Sequence, residues 1–96
     1  MKNAVIESTR LGPEGHGIMT MMIYVGYGDG GQQGYGGFSM GKTPMDAIKT
    51  LLEVVGVETW ESMVGKSIRV RGGGNGKIEG IGHFMKDLWF VLPYNL

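Results

Sequence analysis

Alternating apolar and polar positions predict strands in the first third of the chain. In residues 3–12, Val5 and Thr9 fall on one face of a strand and Ile6 falls on the other. Residues 18–27, "IMTMMIYVGY", are apolar and rich in β-branched and aromatic side chains, which favours a central strand. The segment "GPEGHG" between these runs is typical of a Gly/Pro turn. An antiparallel pair of strands is therefore expected here.

The segment "GYGDGGQQGYGGF", residues 26–38, is more than half glycine. It is open to three interpretations: a loop that cradles a ligand, a tight hairpin, or a slack linker. Because a strand-like run resumes at residues 33–40, we interpret it as a hairpin leading into a third strand. Backbone without side chains would also let this hairpin approach a ligand or a sister subunit closely.

A helix is the clearest element that the pattern predicts. Thr43 suits the N-cap, Pro44 suits the first helical position, and Asp46 has the charge that favours a helix N-terminus. The apolar residues at helical spacing are predicted to form one buried stripe: Met45, Ile48, Leu51, Leu52 and Val55. Gly56 is expected to end the helix in the left-handed conformation.

A short second helical turn is predicted immediately after this helix, in residues 57–65. Thr59 is its candidate cap, and Trp60 and Val64 are expected to face the core.

Two further strands joined by a glycine turn are predicted near the C-terminus. Ile68 and Val70 alternate with Ser67, Arg69 and Arg71, so the two arginines are expected on the face away from the core. The segment "GGGNG" supplies the positive-φ residues of a hairpin, and "KIEGIGHF" returns as the partner strand. The run "LWFVLPYNL" is interpreted either as a sixth, edge strand or as an apolar tail that docks on a neighbour.

The order of these elements predicts the fold class. It is β-β-β-α-β-β with an optional sixth strand, within a single domain over residues 1–96. We therefore expect an α+β fold in which one main helix packs on one face of a small, mostly antiparallel sheet.

Composition narrows the classes of function. Nine Lys and Arg residues balance nine Asp and Glu residues, so bulk nucleic-acid binding, which needs a basic surplus, is not expected. The chain has no cysteine, which excludes a disulfide scaffold and a thiolate zinc site and fits a reducing compartment. Its apolar runs are too short to cross a membrane, and its N-terminus lacks the pattern of a secretory signal. A cytoplasmic protein without membrane contact is expected.

Two phosphate-binding motifs match the chain literally. Gly26, Gly28 and Gly31 form G-x-G-x-x-G, but a strand follows where a dinucleotide site needs a helix. Residues 36–43, "GGFSMGKT", form a Walker A pattern, yet the chain is too short for the parallel sheet of an NTPase. Neither activity is predicted. Lys42 at the helix start remains a candidate contact for an anion.

Arg69 and Arg71 are the strongest candidates for anion binding. Two guanidinium groups side by side suit phosphate or carboxylate, whereas the simpler alternative is two solvated arginines on an outer sheet face. Residues that could stack on a base or read its edge are Tyr24, Tyr27, Tyr35, Trp89, Gln32 and Gln33. Strand aromatics are also common in cores, so both interpretations stay open.

Two histidines invite metal binding or acid–base chemistry. Glu14 lies close to His16 in the chain, and His83 lies on a separate loop. The spacing matches no metal motif, and no nucleophile or carboxylate pair stands out. We therefore predict no metal site, no cofactor and no catalytic residue, and favour histidines that are hydrogen-bonded within turns.

Several segments of the chain carry a resemblance to a protein family. The pattern is I-E-x-T-x-L-G-x-E-x-H-G-I, then Q-G-[YF]-G-G, V-G-V-x-x-W-E, I-R-V-R and I-G-H-F-x-K-D-x-W-F. The matching positions are Glu7, Thr9, Gly12, Glu14, His16, Gly17, Gly34 to Gly37, Trp60, Glu61, Arg69, Arg71, His83, Lys86, Asp87, Trp89 and Phe90. In these positions, which span nearly the whole chain, it resembles a group of small proteins encoded by bacteriophages and prophages.

This resemblance implies provenance, not an activity. Small accessory phage proteins often block a host factor or sequester a nucleotide signal of antiviral defence. By analogy of class with anti-defence sponge proteins, we predict a homo-oligomer in the host cytoplasm that binds a small anionic, nucleotide-like ligand without catalysis. The predicted ligand-binding residues are Arg69, Arg71, His16, Glu14, Gln33, Tyr35, His83 and Trp89.

Two alternatives to this sponge hypothesis remain. One is a module that inhibits a host protein by binding it through exposed methionines and the run "LWFVLPYNL". The other is a small cyclic-nucleotide hydrolase that uses His16, Glu14 and His83.

Overall fold

Six strands and one main helix make up the protein in a computed structural model that describes residues 2–13, 15, 17–39, 44–74 and 76–91. The elements are β1 (Lys2–Pro13), β2 (Met19–Gly26), β3 (Gln32–Ser39), α1 (Pro44–Val55), a 3₁₀ turn (Trp60–Ser62), β4 (Ser67–Gly72), β5 (Ile78–His83) and β6 (Trp89–Phe90). The predicted α+β class is confirmed. The element order differs from β-β-β-α-β-β, because it also contains a 3₁₀ turn and a sixth strand. The turn lies where the sequence predicts a short helical turn, and β6 is the optional sixth strand.

The strands form one antiparallel sheet in the order β3-β2-β1-β4-β5-β6. β1 lies at its centre, where Val5 pairs with Gly26 of β2 and with Ser67 of β4. The pairing of β1 with β2 shifts between Ile6 and Ser8, which is a β-bulge. The N-terminal and C-terminal halves of the chain therefore meet along one pair of strands, β1 and β4.

The inner face of the sheet and the helix enclose the core. Ile68 and Val70 are fully buried, which confirms the alternation predicted for β4. The other fully buried large side chains come from all parts of the fold: Ile6, Met21, Ile23, Val25, Leu51, Met63, Ile81 and Phe90. Burial of such side chains supplies most of the driving force for folding.

Helix α1 begins at Pro44, as predicted, and ends before Gly56, whose φ of 88° confirms the left-handed position. The predicted stripe is wrong at one residue, because Met45 is 74% exposed. The buried face runs through Ala47, Leu51 and Val54. At 3.6 residues per turn, Met45 points about 160–200° away from Ala47. The predicted N-cap, at position 43, lies outside the described residues.

The turn after α1 is a 3₁₀ helix, and this changes which side chain is buried. Trp60 packs against the core as predicted, and its Nε1 donates to Thr9 Oγ1 at 2.9 Å. Val64 is 53% exposed, so its predicted inward position is wrong, and Met63 is buried instead. With three residues per turn, the residue beneath Trp60 is three positions on, not four.

The glycine-rich segment is a hairpin, as predicted, and its loop connects β2 to β3. The Tyr27 amide donates to the Gly31 carbonyl at 3.0 Å, and the Gly31 amide donates to Asp29 Oδ1 at 2.8 Å. Gly28 and Gly30 have φ values of 84° and 91°, which other residues rarely adopt. The glycines thus make a tight turn.

The sheet curls until β3 approaches the other end of the sheet, and we call this contact the seam. Gln33 Nε2 donates to the carbonyl oxygens of Gly74 at 3.3 Å and Gly76 at 2.9 Å, across the β4–β5 turn. Tyr35 Oη donates to the Phe90 carbonyl at 3.4 Å. The seam therefore joins β3 to the β4–β5 turn and to β6.

Candidate functional site

Three of the predicted site residues lie together on the outer face of β4, β5 and β6. The guanidinium carbon of Arg71 lies 4.4 Å from the centroid of the Trp89 ring, and that of Arg69 lies 5.2 Å from it. Both distances are within the range of cation–π attraction. We call the surface formed by Arg69, Arg71 and Trp89 the Arg–Trp face.

Glycines of β5 make room for this arrangement. Gly82 pairs with Arg69 on one side and with Trp89 on the other, and a Cβ atom at Gly82 would lie 2.7 Å from ring carbons of Trp89. Gly80 pairs with Arg71, and a Cβ there would lie 3.2 Å from the Val91 side chain. The indole therefore lies against bare backbone and reaches both arginines.

The β5–β6 turn, residues 84–88, holds the Arg–Trp face in place. Arg69 Nε donates to the His83 carbonyl at 2.9 Å, and its terminal nitrogen donates to the Lys86 carbonyl at 2.7 Å. Trp89 Nε1 donates to Asp87 Oδ1 at 2.9 Å. Two of the five N–H donors of Arg69 are thereby used inside the protein.

Arg71 differs from Arg69 in what its guanidinium group contacts. Arg71 is exposed, whereas Arg69 is half-buried. Within the described part of the chain, the Arg71 guanidinium stacks on Trp89 and forms no ion pair. A guanidinium held over an indole ring by cation–π attraction still has N–H donors for a carboxylate or phosphate. Arg71 is therefore the arginine with the greater capacity to bind an external anion.

Apolar side chains surround the Arg–Trp face. Phe84 is 44% exposed and Val91 is 48% exposed, at its two ends, and Met85 and Leu88 of the turn are also exposed. Beside Phe84, a cavity of about 260 Å³ opens on the outer face. Its walls come from three strands and two adjoining segments: Asn3, Ala4, Val5, Gly26, Tyr27, Gly28, Ser67 and Phe84.

Gln33 and Tyr35, which the sequence predicts to join the arginines, lie at the seam. Tyr35 is 4% exposed and belongs to the core, so it offers no ring face to a ligand. An open cavity of about 600 Å³ runs along the seam between residues 33–36 of β3 and residues 76–78. The residues predicted to lie together are therefore separated. The arginines lie on the outer face, Gln33 lies at the seam and Tyr35 lies in the core.

Gln33 makes a four-part hydrogen-bond cluster with the two hairpin turns. Its Oε1 accepts from the Tyr27 hydroxyl and from the Gly74 amide, the latter at 2.8 Å, while its Nε2 donates as described above. Burial raises the pKa of the Tyr27 hydroxyl; the Gly74 amide opposes this, and the Asp29 charge adds to it. The carboxamide of Gln33 is fully occupied within the protein.

The histidine cluster proposed for a hydrolase is described only at His83. His83 Nδ1 accepts from the amides of Met85 and Lys86, both at 3.0 Å, and Nε2 lies toward Gly56 at the helix end. This pattern assigns the proton to Nε2 and gives the ring a role in holding the turn. Glu14 and His16 lie outside the described residues. Within the described ranges, no group of three or more His, Cys, Asp or Glu side chains is arranged to hold a metal ion.

Sequence reasoning missed the cavity beside Phe84 and the support from Gly80 and Gly82. One signal was present: glycines alternate with apolar residues in "GIG", which is typical of a strand whose outer face is covered closely. The pairing of β5 with β6 was needed to identify Trp89 as the covering residue.

The described residues include no helix with the length and apolar character needed to cross a membrane. The comparisons with protein family models, with curated proteins and with solved structures gave no match to this chain.

Proposed function

We propose that the protein is a non-catalytic binding module that engages a partner protein through the Arg–Trp face. The observation that carries this proposal is the exposed Arg71 guanidinium stacked on Trp89 and bordered by exposed apolar side chains. Trp and Arg are the residue types that most often dominate binding energy at protein interfaces. An apolar area beside them adds contact surface.

The shape of the Arg–Trp face favours a protein over a small molecule. Sites for small ligands are usually concave and enclose most of the ligand surface. Arg69, Arg71 and Trp89 line neither the seam cavity nor the cavity beside Phe84. An open surface of this kind matches the flat contact of a protein interface.

The contacts of the titratable groups support binding without catalysis. Arg69 is held by two carbonyl groups, and His83 accepts two backbone amides. Both side chains therefore fix the β5–β6 turn that presents Trp89. This turn is the structural support of the proposed interface.

Affinity capture with matched variants tests the proposal. The full chain is immobilised and exposed to a lysate of a bacterial host, and the same is done with Arg71→Glu and Lys49→Glu. Lys49 is exposed on α1, so it controls for a charge reversal away from the Arg–Trp face. We expect a captured protein that is retained by Lys49→Glu, is lost with Arg71→Glu and protects residues 67–72 and 84–91 from hydrogen exchange. Capture that Arg71→Glu leaves unchanged would contradict the proposal.

A second candidate function is sequestration of a small anionic, nucleotide-like ligand by a homo-oligomeric phage protein in the host cytoplasm. The seam cavity favours it, because about 600 Å³ is within the usual size range of ligand sites and Lys77 lies on its wall. Native mass spectrometry against a panel of cyclic nucleotides and cyclic ADP-ribose isomers tests this candidate. We expect a bound nucleotide that is recovered intact on denaturation and is lost with Lys77→Glu; no binding across the panel would remove the candidate.

A further inference from the structure

We infer that the partner presents an extended segment with one apolar side chain and, four residues away, one carboxylate. The apolar side chain enters the cavity beside Phe84, and the carboxylate binds the free edge of Arg71. This inference rests on the function proposed above and adds the chemistry and spacing of the bound segment.

The cavity provides the apolar half of this recognition. Val5 and Phe84 are exposed beside it, at 41% and 44%, and Tyr27 contributes part of its wall. An opening of about 260 Å³ is too small for most whole ligands and is suited to one aliphatic or aromatic side chain. Burial of that side chain would also cover apolar surface that the protein leaves in water.

The register of the sheet sets the spacing. Ser67 lines the cavity, and Arg69 and Arg71 follow on the same outer face of β4, two and four residues on. An extended segment lying along β4 has the same rise per residue, so its side chains at i and i+4 match Ser67 and Arg71 over about 13 Å. The residue at i+2 then faces Trp89 and the already engaged Arg69.

Charge selects an acidic segment as the occupant. The chain as a whole carries no net charge, but the Arg–Trp face and its turn carry Arg69, Arg71 and Lys86 against Asp87. Three cationic side chains against one carboxylate leave the local charge positive. A second copy placed two-fold over this face would bring like charges together, which costs free energy. An acidic strand complements it.

A peptide series tests the spacing on the full chain. Fluorescein-labelled peptides built on a Ser/Thr host carry one Leu and one Glu, with the Glu moved from i+1 to i+6, and binding is followed by anisotropy. We expect the tightest binding at i+4. Replacing that Glu by Gln, or using the Arg71→Gln protein, is expected to weaken it about tenfold, as loss of one charge-assisted pair does.

Two further variants separate the parts of the site. Replacing the peptide Leu by Ser is expected to abolish binding to the wild-type protein, while the exposed Lys49→Gln change on α1 leaves it unchanged. If peptides with phosphoserine in place of Glu bind equally well at every spacing, the site is a simple anion contact and the inference is overturned. Equal binding at every position of the Glu would also overturn it.

Lysate capture shows whether the proposed function fails together with this inference. If the spacing prediction fails but capture still depends on Arg71, the proposed function stands without this inference. If capture is independent of Arg71, both fail.

Discussion

A single side chain, Gln33, holds the two hairpin turns of the protein together. Its carboxamide accepts from Tyr27 and Gly74 and donates to the carbonyls of Gly74 and Gly76, so each of its hydrogen-bonding positions has a partner. Among the described residues, the side chain of the adjacent Gln32 makes one hydrogen bond, an exposed one in which Nε2 donates to Glu7 Oε1 at 2.8 Å. Two neighbouring residues of the same type therefore have very different structural roles.

We expect Gln33→Ala to lower the free energy of unfolding by about 1–2 kcal/mol, because it leaves a partly buried hydroxyl and an amide without partners. Gln32→Ala is the matched control and should change the free energy of unfolding by less than about 0.5 kcal/mol. Urea denaturation followed by circular dichroism measures both. Equal effects of the two changes would contradict the role assigned to Gln33.

The Tyr27 hydroxyl makes stability depend on pH in the alkaline range. Its pKa is raised above 10.0, chiefly by burial, so the folded state holds the proton more tightly than the unfolded state does. The stabilisation is complete below pH 10.0 and is lost as the pH rises through the raised pKa. We expect the free energy of unfolding to fall less steeply above this pH in Tyr27→Phe than in the wild type. Denaturant titrations across the alkaline range give both slopes, and identical slopes would count against this assignment.

At the scale of elements, helical period decides which side chains reach the core. The stripe of α1 passes through Leu51, which is fully buried, and misses Met45. In the 3₁₀ turn the tighter period buries Met63 in place of Val64. Both errors of the sequence prediction therefore concern the direction in which a correctly located element faces.

Leu51→Ala and Met45→Ala test the direction of α1. Leu51→Ala leaves a cavity under the helix and should lower the free energy of unfolding by about 2–5 kcal/mol. Met45→Ala removes an exposed side chain and should change the free energy of unfolding by less than about 0.5 kcal/mol. Thermal unfolding of the two variants provides the comparison. A large loss of stability with Met45→Ala would show that this residue is buried in solution.

Strand β5 is predicted to control the position of Trp89. In Gly82→Ala the new methyl group would lie 2.7 Å from ring carbons, so the indole must move away from the sheet. We expect the indole N–H resonance of Trp89 to shift and partner binding to weaken. Gly12→Ala is a suitable control, because a Cβ there meets no atom within 4 Å. An unshifted resonance in Gly82→Ala would mean that the ring does not rest on Gly82.

At the scale of the whole molecule, the sequence predicts local structure well and long-range contacts poorly. Glycine turns, the end of α1 at Gly56 and the inward side of β4 follow from local periodicity and backbone preference. The roles of Gln33 and Trp89 do not. Two of the three partners of Gln33, Gly74 and Gly76, lie 41 and 43 residues away, and the position of Trp89 depends on β5. Alternation predicts that Arg69 and Arg71 share a face, but not which groups they meet there.

The central place of β1 also has a consequence for folding kinetics. Lys2 pairs with Val70, so the sheet is completed only when the first strand meets the last third of the chain. Such non-local pairing is typical of domains that fold in milliseconds to seconds. Stopped-flow refolding from urea should show a main phase in this range. A microsecond phase that recovers the whole signal would indicate that β1 and β4 join much earlier.

The hydrogen-bond cluster around Gln33 also makes the protein sensitive to chemical ageing. Hydrolysis of this carboxamide to a carboxylate would replace Nε2, which donates to the carbonyls of Gly74 and Gly76, with a negatively charged oxygen atom. The attraction between this side chain and the two carbonyl groups would become repulsion at the seam. After prolonged storage, deamidated molecules can be separated from intact ones by charge. We expect them to exchange the amide hydrogens of both turns faster than intact molecules do, although the two forms differ in one side-chain group only.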